Sequence, residues 1–285
     1  MHSAQEIVYQ VDALATLPSV YHRIREQLES PDGSLLEVSR LISADPALTA
    51  GVLRLVNSAY YGFGGNIDTI ERAVPILGLQ QVHDVVLAMT VSAIFKGIQP
   101  EYMDVDRFWH GSMMCALGAR SLARAGRHPG AERMFVIGLL ADIGHLVLYE
   151  TVPELTIEAQ SVSDASGEAL HLAERRIIGC DYSEVGAALM EGWKLPACFA
   201  EVIGAQVMPR LAGKFTSDAS VLHIACMIAH ADRYGESSDA AAARLAPEVW
   251  LDADLDPASF ASSREEAELS LTACISAFLP GRRSR

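Results

Sequence analysis

The chain has 285 residues, half of them apolar, and a formal net charge of −14. That length and apolar content support one large core or two modest ones and exclude general disorder. The negative charge excludes broad nucleic-acid binding, which needs clustered Lys and Arg, and an electrostatic hold on anionic lipid.

The pattern is helical from the start. "SAQE" (3–6), "SLLE" (34–37) and "DTIE" (68–71) each place a capping side chain three residues before a Glu. "DPALTAGVLRLVNSAYYG" opens with Asp45 as N-cap and Pro46 at the first helical position. It lines Leu48, Val52, Leu55 and Ala59 along one face and is expected to close near Gly62. Asn57 and Ser58, near its end, are suited to satisfying terminal carbonyls and the next turn. Tyr60, Tyr61 and Phe63, among Gly62, Gly64 and Gly65, read as aromatic packing beside a tight turn, with a binding lip as the alternative.

A helix over 79–97 follows, and Gly97 and Pro100 in "GIQPEYMD" then break the pattern. The expected domains are therefore 1–97 and 98–285. Beyond the break, "VDRFWHGSMMCALGARSLARAG" and "AERMFVIGLLADIGHLVLYE" read as two long helices separated by "RHPG". Later helices are expected over 166–178, 182–193, 196–207, 220–234 and 263–279. Alternating strand patterns are scarce, so the fold class is all-α.

Cys115, Cys180, Cys198, Cys226 and Cys274 are scattered, without a CxxC pair, as expected of reduced core thiols. "MHSAQEIVYQ" lacks the pattern of a secretory leader, and no uncharged run is long enough to span a bilayer. A cytoplasmic protein without membrane insertion is expected. Residues 236–268 carry Glu236, Asp239, Glu248, Asp252, Asp254, Asp256, Glu265, Glu266 and Glu268 against Arg244 and Arg264. This reads as a solvated helical extension, with an acidic docking surface as the alternative.

The segment "FVIGLLADIGHLVLYE" poses the chemical question, because Asp142 and His145 interrupt an otherwise apolar run. An unpaired buried carboxylate is costly. His145, three residues on, shares the helical face and can partner it.

Long stretches then resemble a known family. "LPSVYHRIREQLESPDGSLLEVSRLISADPALTAGVLRLVNSAYYGFGGNIDTIERAVPILGLQQVHDVVLA" resembles the N-terminal half of HDOD domains. Its motif positions are Asp45, Pro46, Asn57, Ser58, Gly62, Glu71 and Gly78. "FWHGSMMCALGARSLA", "MFVIGLLADIGHLVLYE", "IIGCDYSEVGAALMEGWKLP" and "IAHADRYG" resemble the HD-like half. The resemblance implies an N-terminal helical subdomain packed on an HD-like helical subdomain. It also implies kinship with HD and HD-GYP metal phosphohydrolases and a regulatory role, usually without catalysis.

In those hydrolases a His, a His-Asp dyad on the next helix and a distant Asp hold a metal, which makes bound water a nucleophile. Carried over, His110 matches the first ligand, Asp142 the dyad Asp and Asp232 the late Asp. Ala141 occupies the place of the dyad His. Tyr182 stands where an accessory His often occurs, "AQVMP" (205–209) replaces a His-His-Pro-like stretch, and His145 falls at a common Lys position. These losses imply no catalytic residue, no cofactor and no bound metal. Asp142 is expected in a polar cluster with His145, His110 or Asp232, serving packing or a ligand pocket. His110, among Trp109, Met113, Met114 and Leu117, reads as a structural histidine. His223 and His230 share a helical face two turns apart, with Met227 between them, and read as ordinary helix residues, with a soft metal site as the alternative.

The expected function is a non-catalytic regulatory module in bacterial signalling, acting through protein partners. The alternatives are a residual metal-dependent phosphohydrolase using His110, Asp142 and Asp232, and a nucleotide or anion sensor in the vestigial pocket.

Overall fold

The computed structural model describes residues 1–11, 17–30, 33–57, 67–95 and 100–278. Among them every regular element is helical: α1 (Ala4–Val11), α2 (Ser19–Glu29), α3 (Leu35–Ser43), α4 (Pro46–Val56), α5 (Ile70–Leu77), α6 (Leu79–Phe95) and α7 (Val105–Ala125) open the series. There follow α8 (Ala131–Leu140), α9 (Ile143–Thr151), α10 (Pro153–Ser166), α11 (Leu170–Ile177), α12 (Tyr182–Gly192) and α13 (Ala197–Gly204). A 3-10 turn over Pro209–Phe215 leads to α14 (Thr216–Tyr234), α15 (Ser238–Ala243), α16 (Pro247–Ala253) and α17 (Ser259–Phe278). The all-α expectation holds, and α2, α10, α15 and α16 add helices that the sequence pattern did not mark one by one.

The chain divides into two compact units, Met1–Ala15 with Ile98–Ala267, and Thr16–Gly97 with Glu268–Arg285. Both chain ends thus depart from the expected domains of 1–97 and 98–285. The N-terminal helix joins the larger unit because Ile7, Val8 and Val11 are buried where α1 packs on α9 and α12. His2 N–H also donates to the Ile178 carbonyl at 2.7 Å. In the smaller unit, Arg54 of α4 reaches the Ser276 carbonyl of α17 at 3.4 Å.

Within the smaller unit, Asp45 caps α4, accepting from the N–H groups of Ala47 at 2.8 Å and Leu48 at 3.0 Å. The helix ends at Val56, short of Gly62. Asn57 explains the stop. Its Nδ2 donates to the carbonyls of Leu53 and Ile67, and its Oδ1 accepts from Ile67 N–H at 2.8 Å. One side chain thereby ties the helix end to the chain ten residues on, beside the backbone bond from Asn57 N–H to the Leu53 carbonyl. Gly78 turns α5 into α6 with φ 79°, a conformation that favours glycine, and the two helices diverge by 113°. Glu71 lies exposed in the first turn of α5, where its charge suits the helix dipole. Of the three expected capping boxes, Ser3–Glu6 forms, with bonds of 2.8 and 3.3 Å. Ser34 makes no capping bond, and Asp68 pairs with Arg72 instead. Ser58, Ala59 and the Gly62 aromatic segment lie outside the described residues.

In the larger unit α7 packs on α8 and α14, with Trp109, Met113 and Met114 fully buried. Gly138 lets α8 approach closely, since a Cβ there would come 2.8 Å from the Ala116 Cα. The run expected as one helix over 131–150 is two helices, broken at Ala141–Asp142. The break brings the first turn of α9 against the start of α12, where a Cβ on Gly144 would lie 1.9 Å from the Tyr182 carbonyl oxygen. Taken together across the break, Ala131–Thr151 is long and apolar enough to cross a membrane by length and composition alone. Its apolar window is 72% buried within the protein, as in a core helix.

Candidate functional site

Asp142 occupies the break itself, so the acid does not sit inside an apolar helix. Its side chain is 39% exposed, which lowers the cost of holding a carboxylate there. His145, one turn into α9, places Nδ1 2.5 Å from Asp142 Oδ1. On its other edge, Nε2 lies 3.0 Å from Oε1 of Glu174 on α11, within ion-pair range though off the line of a hydrogen bond. The Tyr182 ring stacks on the imidazole at 4.0 Å and 14°. Burial by itself would lower the His145 pKa, but the charges of Asp142 and then Glu174 outweigh it and raise it to about 10. His145 is therefore an imidazolium at neutral pH, clasped by two carboxylates.

Glu174 was not legible as a site residue. It is wholly buried, and its Oε2 accepts the Tyr182 N–H at 3.1 Å, at the N-terminus of α12. Asp181, also fully buried, caps that helix in a box with Glu184 and lies 2.8 Å from Arg175 Nε. Free N–H groups and the positive end of the helix dipole stabilise both carboxylates there. The sequence offered little signal for it, because Arg175 and Arg176 follow directly in "AERRIIG" and make Glu174 look like part of a charged surface.

On α7 and α14, His110 Nδ1 lies 3.5 Å from Asp232 Oδ2. The four expected cluster residues thus fall into two pairs, Asp142 with His145 and His110 with Asp232. Gln206 joins further parts of the unit. Its Nε2 donates to the carbonyls of Ala141 at 2.8 Å and Ile203 at 3.0 Å, and its Oε1 accepts from Cys226 Sγ at 3.4 Å. His223 Nδ1 donates to the Gln206 carbonyl at 2.7 Å, and burial lowers its pKa. His230 instead faces Tyr234, with ring centroids 4.6 Å apart, so the two histidines share no ligand position. Elsewhere His128 ties the loop after α7 to α14, through Ser217 Oγ at 2.9 Å and Asp218 at 3.3 Å. Among the described residues, no group of three or more His, Cys, Asp or Glu side chains is placed to hold a metal ion.

Residues 14–209 match the HDOD domain family. The chain belongs to the HDOD family. The HDOD domain protein of unknown function from Geobacter sulfurreducens superposes with a TM-score of 0.80 at 23% identity, over 97% of each chain. A protein from Shewanella amazonensis SB2B, provisionally named a phosphohydrolase, gives a TM-score of 0.73 at 27% identity over 95% of this chain and 99% of its own. One from Marinobacter aquaeolei VT8, provisionally named a signal transduction protein, gives 0.71 at 22% identity over 94% of this chain and 60% of its own. The chain spans 37% of the length of the curated relative it matches, an uncharacterised Treponema pallidum protein, at 27% identity over 194 residues.

Among the HDOD motif positions, Asp45, Pro46, Asn57, Glu71 and Gly78 all lie in the smaller unit. Their described roles are caps, a loop tie and a turn. Ser58 and Gly62 lie outside the described residues.

Proposed function

We propose that this HDOD chain acts by binding and not by catalysis, as a regulatory module of bacterial signalling with protein partners in the cytoplasm. The observation that carries the reading is the engagement of Asp142 by His145. In a working HD site the dyad Asp is open to a metal beside a ligating His. Here a methyl group fills the His position, and an imidazolium takes up the carboxylate. Gln206 turns its amide nitrogen, a donor and no ligand, toward the Ala141 carbonyl. The residues present do not fit the hydrolase metal, so no hydrolytic step is drawn through it.

The reading is tested on protein purified without chelator. Elemental analysis is expected to find manganese, iron and zinc well below one per chain, with no change in Asp142→Ala. Stoichiometric metal that disappears in that variant would overturn it in favour of a residual phosphohydrolase, to which the surviving His110–Asp232 pair lends support.

A second reading, an anion or nucleotide sensor, rests on a cationic patch beside Asp232. Arg107 donates to the Arg233 carbonyl at 3.1 Å, and the two guanidinium groups lie 6.0 and 5.7 Å from the exposed Tyr234 ring. A ligand bound only by the folded state raises the melting temperature. Thermal-shift measurements against ATP, GTP and cyclic dinucleotides separate this reading from pure protein binding, since a flat response across them removes it.

A further inference from the structure

Two of the cysteines meet in the larger unit. Cys115 of α7 and Cys226 of α14 place their sulfurs 3.6 Å apart, although 111 residues separate them in the chain. The contact joins the same two helices that carry His110 and Asp232. Cys115 is buried, whereas Cys226 is partly exposed and offers the entry point for a small reagent. A disulfide needs its sulfurs about 2 Å apart. The two helices already pack against each other, and the sulfurs have to approach by about a further 1.6 Å.

We propose that Cys115 and Cys226 form an oxidation site, at which a hydroperoxide converts the dithiol into an intramolecular disulfide clamping α7 to α14. The Cys226 thiolate attacks one peroxide oxygen and the O–O bond breaks. The departing alkoxide, or hydroxide where the oxidant is hydrogen peroxide, takes up a proton and leaves as alcohol or water, with a sulfenic acid left on Cys226. Cys115 then gives up its proton and attacks the Cys226 sulfur. The S–O bond breaks, water leaves, and the S–S bond forms. Two thiols are oxidised by two electrons in all, and one hydroperoxide is reduced. With hydrogen peroxide both products are water.

The environment divides the roles between the two sulfurs. The hydrogen bond with Cys226, followed by burial, holds the Cys115 thiol well above its usual pKa. Cys115 is therefore protonated at rest and suits the resolving step, not the first attack. The consequence is local. Cys226 would lose the S–H that it donates to Gln206 Oε1, and the spacing of the helices bearing His110 and Asp232 would be fixed. The site requires neither a metal nor a partner, so it stands apart from the proposed binding role.

The test treats the folded intact chain with hydrogen peroxide, then unfolds it in denaturant containing an alkylating reagent to block every free thiol, and maps disulfides by mass spectrometry. The expected result is the loss of two of the five alkylatable thiols and a linked peptide pair containing Cys115 and Cys226. The link should reverse with dithiothreitol, persist in Cys198→Ser and vanish in Cys115→Ser and Cys226→Ser. Phenylarsine oxide, which bridges close thiols, protects the pair from alkylation in the untreated wild-type chain and provides a readout independent of any variant's folding. Five alkylatable thiols after peroxide, a link between other cysteines, or sulfinic acid at Cys226 without a link would each overturn the proposal.

Discussion

Gln206 donates its side-chain amide to the Ala141 carbonyl across 2.8 Å, bridging two segments 65 residues apart. The carbonyl lies where α8 stops, and such groups at a helix end lack an intrahelical acceptor role. Gln206 is 2% exposed, so water cannot easily replace it. Gln206→Ala would leave the Ala141 carbonyl unpaired and a cavity beside Cys226. A loss of about 2–4 kcal/mol in unfolding free energy is expected. Gln206→Glu should cost at least as much, since a carboxylate would face the carbonyl without a proton to donate. Urea denaturation followed by circular dichroism checks both, and a Gln206→Ala protein as stable as wild type would show that the bridge contributes little.

The His145 cluster sets a pH dependence whose sign follows from its raised pKa. Folding lifts the imidazole from its ordinary 6.5 to about 10. The stabilisation is fully present below pH 6.5, declines as pH rises between those values and is lost above about 10, because the folded chain binds the extra proton only in that window. Glu174→Gln should lower the His145 pKa while keeping the Tyr182 N–H bonded to an amide oxygen. Histidine NMR titration gives the pKa directly, and stability measured at pH 7 and 9 should fall less in His145→Gln than in wild type. A His145 that titrates near 6.5 in the wild-type chain would contradict the ion-pair description.

Much of this architecture was legible because helices announce themselves by period and caps. Asp45 with Pro46 marks the start of α4, and the apolar spacing of α7 marks its buried face. The break at Ala141–Asp142 was not legible. No proline marks it, and Gly138 and Gly144 serve close contacts with α7 and α12 that exist only once the helices are packed. The Asp142–His145 pairing followed from three-residue spacing, which survives the break because both residues flank the first turn of α9. Glu174 and Gln206 escaped notice because their partners come from remote segments, and a single Glu or Gln in a helical sequence looks like a surface residue. The acidic tail gave a partial answer: Glu236 pairs with Arg244, Asp252 with Arg210, and Glu266 accepts from Ser121. Several of those acids are therefore spent on internal ties.

Two glycines predict opposite outcomes for the same substitution. At Gly144 a new Cβ would meet the Tyr182 carbonyl oxygen at 1.9 Å and other backbone at 2.8 and 3.0 Å, so α9 must move away from α12. Gly144→Ala is expected to destabilise by about 2–3 kcal/mol, as overpacking against rigid backbone does. Gly111, inside α7, has open space around the same position. Gly111→Ala should stabilise by about 0.5–1 kcal/mol through helix propensity alone. Thermal denaturation of the two variants side by side checks the close approach, and equal effects would contradict it.

Restoring the missing imidazole should not restore the metal site. Ala141 is 1% exposed, so Ala141→His pushes a ring into packed space and should cost about 1–3 kcal/mol. The Asp142 carboxylate would still face His145, an imidazolium with no lone pair to offer on its protonated nitrogens. Ala141→His alone is therefore expected to bind manganese or zinc no better than wild type. Ala141→His combined with His145→Ala frees the carboxylate beside a new imidazole, with His110 and Asp232 still present on α7 and α14, and should gain affinity. Equilibrium dialysis against either ion, with circular dichroism to confirm folding, separates the cases. Tight binding by the single variant would mean that Asp142 exchanges His145 for a metal readily, and that the lost histidine was the one barrier to a hydrolase site.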